Sequence, residues 1–226
     1  MLTLGIDTSC ANAGVCLTRD GKVVAAVSQA DKRTHSVKLL PEIQALYAAA
    51  DVMPAQTDLV SVVAGPGSFT GVRIGVATAK MIAYAAGKPI VGVNTLDALM
   101  ETARRGDELV LPLIDARNAR AYACLYENGL PVWGPAADRV SAILGAIREK
   151  YGNRKIIFCG DALLNAAVLK LIGDASGSFK DVVADNDSLY PDPAAVAALG
   201  ERIYENNRGR MRFSPESLKI NYMKEW

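Results

Sequence analysis

The chain has 226 residues and a single histidine, His35. A catalytic metal site of the common kind begins with two imidazoles one helical turn apart on one face, so a site built from histidines is excluded. Asp7 and Asp115 are then the obvious carboxylate donors. Nucleophilic serine chemistry has no support either: Ser68 would have to use that lone imidazole from a distant loop, and no nucleophile-elbow pattern surrounds it. Charge of one sign is also lacking. At a formal net charge of +1, no whole-molecule field draws in a polyanion, and a nucleic-acid role has to come from a local patch or a partner. The four cysteines, Cys10, Cys16, Cys124 and Cys159, form no C-x-x-C pair and lie in apolar surroundings; they read as free buried thiols in a reducing compartment. No signal peptide or membrane span fits, because "LTLGID" already reads as a strand, with Asp7 where an apolar leader core would lie. A cytoplasmic protein without a membrane partner is expected.

Apolar residues are plentiful, at 50% of the chain, enough to bury a core in one large or two small domains. The first thirty residues read as a three-stranded meander, "LTLGID", "AGVCLT" and "KVVAAVSQ", with Asp20-Gly21 as a tight hairpin turn. A helix over 36–50, a strand "DLVSVVA", a helix over 68–86, a strand "PIVGVNT" and a helix over 96–105 complete the order βββαβαβα. Pro41 inside the first helical pattern predicts a late start or a kink.

The chain repeats itself. Shifted by 108 positions, "GIDTSCANAGVCLTRDGKVV" superposes without a gap on "LIDARNARAYACLYENGLPV", placing Asp7 on Asp115, Cys16 on Cys124 and Gly21 on Gly129. After the second meander come a helix near 141–151, a strand "KIIFCG", a helix near 163–171, a strand "FKDVVAD" and a helix near 193–206. The expected domains are 1–106 and 107–226, with room for the last helix and tail to pack back on the first.

Two βββαβα copies, each opening with a strand that ends in aspartate, resemble the duplicated RNase H-like α/β fold of actin, Hsp70 and the acetate and sugar kinases. That resemblance implies two hairpins clasping the phosphates of ATP, with an aspartate from each turned toward metal and water. By position the cleft residues are Asp7, Thr8 and Ser9 on one side and Asp115 and Arg117 on the other. A clasp needs small residues after each aspartate so that backbone N–H groups reach phosphate oxygens. "DTSCAN" has no glycine, and "DARNAR" interposes Arg117, Asn118 and Arg120, so the cleft reads as degenerate. The alternative is that both aspartates are strand-end residues satisfying loop N–H groups.

The segment "AGPGSFTGVRIG", Ala64 to Gly75, lies between a strand and a helix, yet it fits neither G-x-G-x-x-G nor G-x-x-x-x-G-K-[ST]. Together with "GIDTSCANAGVCL", "HSVKLLPEI", "IDARNARAY" and "CGDAL", it is similar to the TsaB (YeaZ) family, and the likeness spans nearly the whole chain. The usual C-terminal P-x-Y-L-R element is present only as "INYMKEW". The resemblance implies an accessory subunit in formation of N6-threonylcarbamoyladenosine in tRNAs reading codons that begin with A. Such a subunit transfers nothing itself. It pairs with its paralogue TsaD, the pair recruits the ATPase TsaE, and ATP and metal belong to those two; it needs no cofactor of its own and meets tRNA through the complex. Alone, it is expected to form a homodimer through the same surface.

Gly71, Gly75, Ala79 and Ala83 fall four apart on one helical face, a stripe with almost no side chain. It suits tight packing on the domain's own sheet or a seam with another subunit; the resemblance implies the seam, through the first two helices. The expected partner surface is His35, Leu39 and Ile43 of the first helix with Ser68, Gly71, Gly75, Ala79 and Ile82 of the second. Ser68 is a natural N-cap, and the glycine-rich loop is expected to aim this helix and not to hold a phosphate. "KRTHSVK" and "RGRMR" are candidate tRNA contacts or plain solvated charge. Two functions stay open: a non-catalytic activator of TsaD, or an ATP-using enzyme with an atypical clasp.

Overall fold

A computed structural model describes residues 1–30, 35–104, 106, 108–177, 179, 181–185 and 187–223. The elements run β1 (Leu2–Asp7), β2 (Asn12–Arg19), β3 (Lys22–Ala30), α1 (His35–Ala49), β4 (Leu59–Val63), α2 (Phe69–Ala86), β5 (Ile90–Val93) and α3 (Thr95–Ala103). The second series is β6 (Leu109–Asp115), β7 (Arg120–Glu127), β8 (Leu130–Arg139), α4 (Val140–Tyr151), β9 (Lys155–Cys159), α5 (Ala166–Ser176), β10 (Asp181–Ala184) and α6 (Pro193–Asn207). Each series forms one five-stranded sheet, ordered β3-β2-β1-β4-β5 and β10-β9-β6-β7-β8. In both, the opening meander is antiparallel and the later strands add in parallel. Pro41 sits inside α1, which starts at residue 35 without a late onset.

The gapless repeat does not survive at the hairpin. Asp7 faces Gly14, while Asp115 faces Ala121, one position short of the residue that a shift of 108 would place there. The second turn closes tighter, with Arg117, Asn118 and Ala119 all in the left-handed region at φ of 67°, 53° and 54°. Side chains pay a steric penalty there, which is why the sequence, without a glycine at these positions, gives no sign of it.

The chain divides into Met1–Ala98 with Pro191–Tyr222, and Leu99–Tyr190 with Met223, so the division falls inside α3 and not at 106/107. The cause is α6. Alternation along the first sheet gives it two apolar faces. Leu2, Leu4 and Ile6 bury against Leu39, Ile43 and Leu46 of α1 and Val72, Val76 and Ala79 of α2. Leu59, Val63, Val91 and Val93 point the other way and bury against Val196 and Leu199 of α6. Gly5 leaves room for the backbone of Pro193, and the Ser61 hydroxyl donates to the Val196 carbonyl at 2.7 Å. The second unit has its own core of Leu109, Leu111, Leu113 and Phe158 under Ile143, Ile147, Val168 and Ile172. All four cysteines are buried and none forms a disulfide, and burial pushes the Cys16 thiol up to about 12. Among the described residues, no helix is long and apolar enough to cross a membrane.

Candidate functional site

The glycine-rich loop is filled by the chain itself. At the end of β1, Asp7 is buried and its Oδ1 accepts the Ser9 N–H at 2.9 Å. The Thr8 hydroxyl donates to the Gly71 carbonyl at 2.7 Å, and the Ser9 carbonyl accepts the Ser68 N–H at 2.7 Å. Ser68 caps α2, its Oγ accepting the Gly71 N–H at 3.2 Å. A Cβ on Gly71 would overlap the Thr8 carbonyl, and one on Gly75 would overlap the Thr8 hydroxyl. On the loop's other side the C-terminal segment lies close: Asn221 N–H donates to the Ala64 carbonyl at 2.7 Å, and Gly65, at φ 102°, leaves the space taken by the Asn221 carbonyl. A phosphate needs donors that open outward on small residues. Here Thr8 and Ser9 are each 1% exposed and committed to the start of α2, so this turn does not fit a nucleotide phosphate.

The second turn is built alike within its own unit. Asp115 Oδ1 accepts the Arg117 N–H at 2.8 Å, and the Asp115 N–H donates to Asp161 Oδ1 at 2.9 Å. Each aspartate thus binds the amide two residues on, the strand-end role that short acidic side chains perform at turns. Arg117 and Asn118 are exposed. Among the described residues no three His, Cys, Asp or Glu side chains converge.

The residues expected at a partner surface are mostly inside. Gly71, Gly75 and Ala79 face Thr8 and the sheet core, and Leu39 and Ile43 are 1% and 2% exposed. The seam reading of the stripe is therefore corrected: its small residues admit the β1–β2 turn, not another subunit. Ile82 is half-buried against the same core, Ser68 is exposed with its hydroxyl used as the cap, and the side chain of His35 lies outside the described residues.

The same two helices present a different face outward. Val37 and Leu40 of α1, and Phe69 and Met81 of α2, are exposed. Phe69, Arg73, Ala77 and Met81 are themselves four apart, a second row beside the buried stripe. At its N-terminal end the Arg73 guanidinium lies 3.6 Å over the Phe69 ring, and its Nε donates to the Tyr222 hydroxyl at 3.0 Å. The Phe69 and Tyr222 rings are 5.7 Å apart, so the tail completes this face. Helical spacing was the available signal: α2 carries two rows at i, i+4, and the row of larger side chains is the exposed one.

The chain is similar to known proteins throughout. The family profile described as "TsaD: tRNA N6-adenosine threonylcarbamoyltransferase" matches residues 22–205. The tRNA threonylcarbamoyladenosine biosynthesis protein TsaB of Bacillus subtilis (strain 168) is 34% identical over 206 residues, covering 89% of this chain and 87% of that protein. YeaZ from Pseudomonas aeruginosa superposes with a TM-score of 0.75 at 21% identity, over 97% of this chain and all of that one. The ROK hexokinase of Thermus thermophilus shares the fold alone, with a TM-score of 0.53 and 12% identity over 90% of this chain and 100% of its own. The architecture is the duplicated RNase H-like one of the sugar kinases.

Proposed function

The chain belongs to the TsaB family of tRNA threonylcarbamoyladenosine biosynthesis proteins, and from that premise we propose that it is a non-catalytic subunit, cytoplasmic, that pairs with a TsaD-type transferase and activates it. The observation that supports this reading best is the exposed Phe69, grouped with Arg73 and Tyr222 at the start of α2, on a pair of helices that also leave Val37, Leu40 and Met81 exposed. Clustered exposed apolar side chains mark interaction surfaces, and a chain whose first nucleotide-clasp turn is filled by its own backbone supplies a surface more readily than chemistry. ATP and metal would be held by TsaD and by the ATPase TsaE, tRNA would be engaged in the complex, and the lone chain would self-pair through the same face.

Reconstitution tests it. The chain alone should neither hydrolyse ATP nor form threonylcarbamoyladenosine; given tRNA and an activated threonylcarbamoyl donor, product should accumulate when TsaD and TsaE are present with it and fall to background when it is left out. ATP turnover by the pure chain that Asp7→Ala abolishes would overturn the proposal in favour of an ATP-using enzyme with an unusual clasp.

A further inference from the structure

Elsewhere in the first unit, the C-terminal ends of α2 and α6 and the segment after α6 line a shallow, open surface groove of about 590 Å³. Lys88, Arg208 and Arg212 line it together with Tyr84, Tyr204 and Phe213, and no lining residue is acidic. The Tyr204 and Phe213 rings meet edge to face at 5.0 Å, and the Arg208 guanidinium lies 5.4 Å over Tyr204. The rim is open, with Tyr84 75% exposed and both arginines exposed. The segment itself, "RGRMR", holds three arginines in five residues, in a chain whose net charge is only +1.

We propose that this groove binds the sugar-phosphate backbone of RNA, with Tyr84 offering a stacking surface to an unpaired base; the inference rests on the tRNA-modifying role proposed above. Cations without intervening carboxylates neutralise successive phosphates and release their counterions, and an exposed ring beside such a track is the usual platform for a base. Helix-dipole capping accounts for part of the pattern, since Arg208 is the C-cap of α6 and Lys88 follows the Gly87 cap of α2. It does not account for Arg212, for the exposed Tyr84, or for the absence of carboxylates from the lining.

The test is anisotropy of labelled tRNA with the full chain, between about 50 and 200 mM salt. The triple variant Lys88→Glu/Arg208→Glu/Arg212→Glu should bind at least tenfold more weakly at the low end. Its log–log salt dependence should be shallower by roughly two to three, since each phosphate contact contributes about 0.7–0.9. Tyr84→Ala should weaken binding about fivefold or more while leaving the slope nearly unchanged and should melt at the wild-type temperature, whereas the triple variant, which reverses two charges at helix C-termini, should melt a few degrees lower but remain fully folded at the assay temperature. Three results would overturn the proposal: no tRNA binding by the wild-type chain, wild-type binding by the triple variant, or phosphatidylglycerol vesicles bound as tightly with the same sensitivity to the variant. A lowered melting temperature with tRNA binding intact would assign the cations to dipole capping. Reconstituted modification separates the two proposals: if the wild-type chain supports it while the triple variant binds tRNA normally, the groove alone fails; if the wild-type chain does not support it, the functional reading fails.

Discussion

Thr8 does more to shape this molecule than its size suggests. Its hydroxyl holds the Gly71 carbonyl at the first turn of α2, and its side chain and carbonyl occupy the space that Cβ atoms on Gly75 and Gly71 would need. Gly75→Ala should therefore destabilise the chain although alanine favours a helix by about 1 kcal/mol over glycine; overpacking of a buried contact costs roughly 1–3 kcal/mol, and the clash wins. Thr8→Ala removes the clashing oxygen and leaves a Cβ at 3.5 Å from the new methyl, an ordinary contact. In that background Gly75→Ala should become neutral or stabilising. The expected double-mutant coupling exceeds about 0.5 kcal/mol, read from urea midpoints of the four proteins. Additive effects would show that the stripe is not packed on Thr8.

At the scale of the helix, two rows four residues apart compete for the inside of α2, and the sequence pattern alone cannot choose between them. Hydrophobic periodicity finds apolar stripes, but the partners of Gly71 and Gly75 are a carbonyl and a hydroxyl of Thr8, in a turn 63 positions before Gly71, which carry no apolar signature. The features that were legible all have local causes. Asp20 and Gly21, both with positive φ, make the expected turn between β2 and β3. Ser68 is the expected N-cap, and the order of strands and helices follows from alternation and spacing. The one-residue register difference at the second hairpin was hidden because its left-handed residues are Arg117, Asn118 and Ala119 and not glycine. With the rows assigned, the outward one gives a prediction. Met81→Asp combined with Val37→Asp alters exposed side chains only, so stability of the lone chain should change by no more than about 0.5 kcal/mol. Co-purification with a TsaD-type partner should be lost, because a desolvated charge at the centre of an apolar interface is costly. Retained pairing would remove this face from the proposed interface.

For the whole molecule, the decisive feature is that the first unit is discontinuous. Residues 1–98 supply a sheet with two apolar faces, α1 and α2 cover one, and the cover for the other arrives only with α6, from residue 193. Sequence duplication pointed to domains of 1–106 and 107–226 with room for the last helix to pack back on the first, since a repeat shows where a copy begins but does not by itself place its last helix. Leu59, Val63, Val91, Val93 and Val196 share the face in question, and full burial of such a side chain is worth about 1.5–3 kcal/mol. Together they contribute on the order of 10 kcal/mol, comparable with the entire stability of a typical domain at roughly 5–15 kcal/mol. A fragment of residues 1–106 should accordingly fail to fold cooperatively: it should bind ANS, give poorly dispersed amide resonances and aggregate. Joining Met1–Ala98 to Pro191–Tyr222 through a flexible linker should restore a single cooperative transition and dispersed resonances. If 1–106 instead melts as sharply as the fusion, α6 is dispensable and the boundary belongs near residue 106; if the fusion behaves like the fragment, the first unit does not fold without the second.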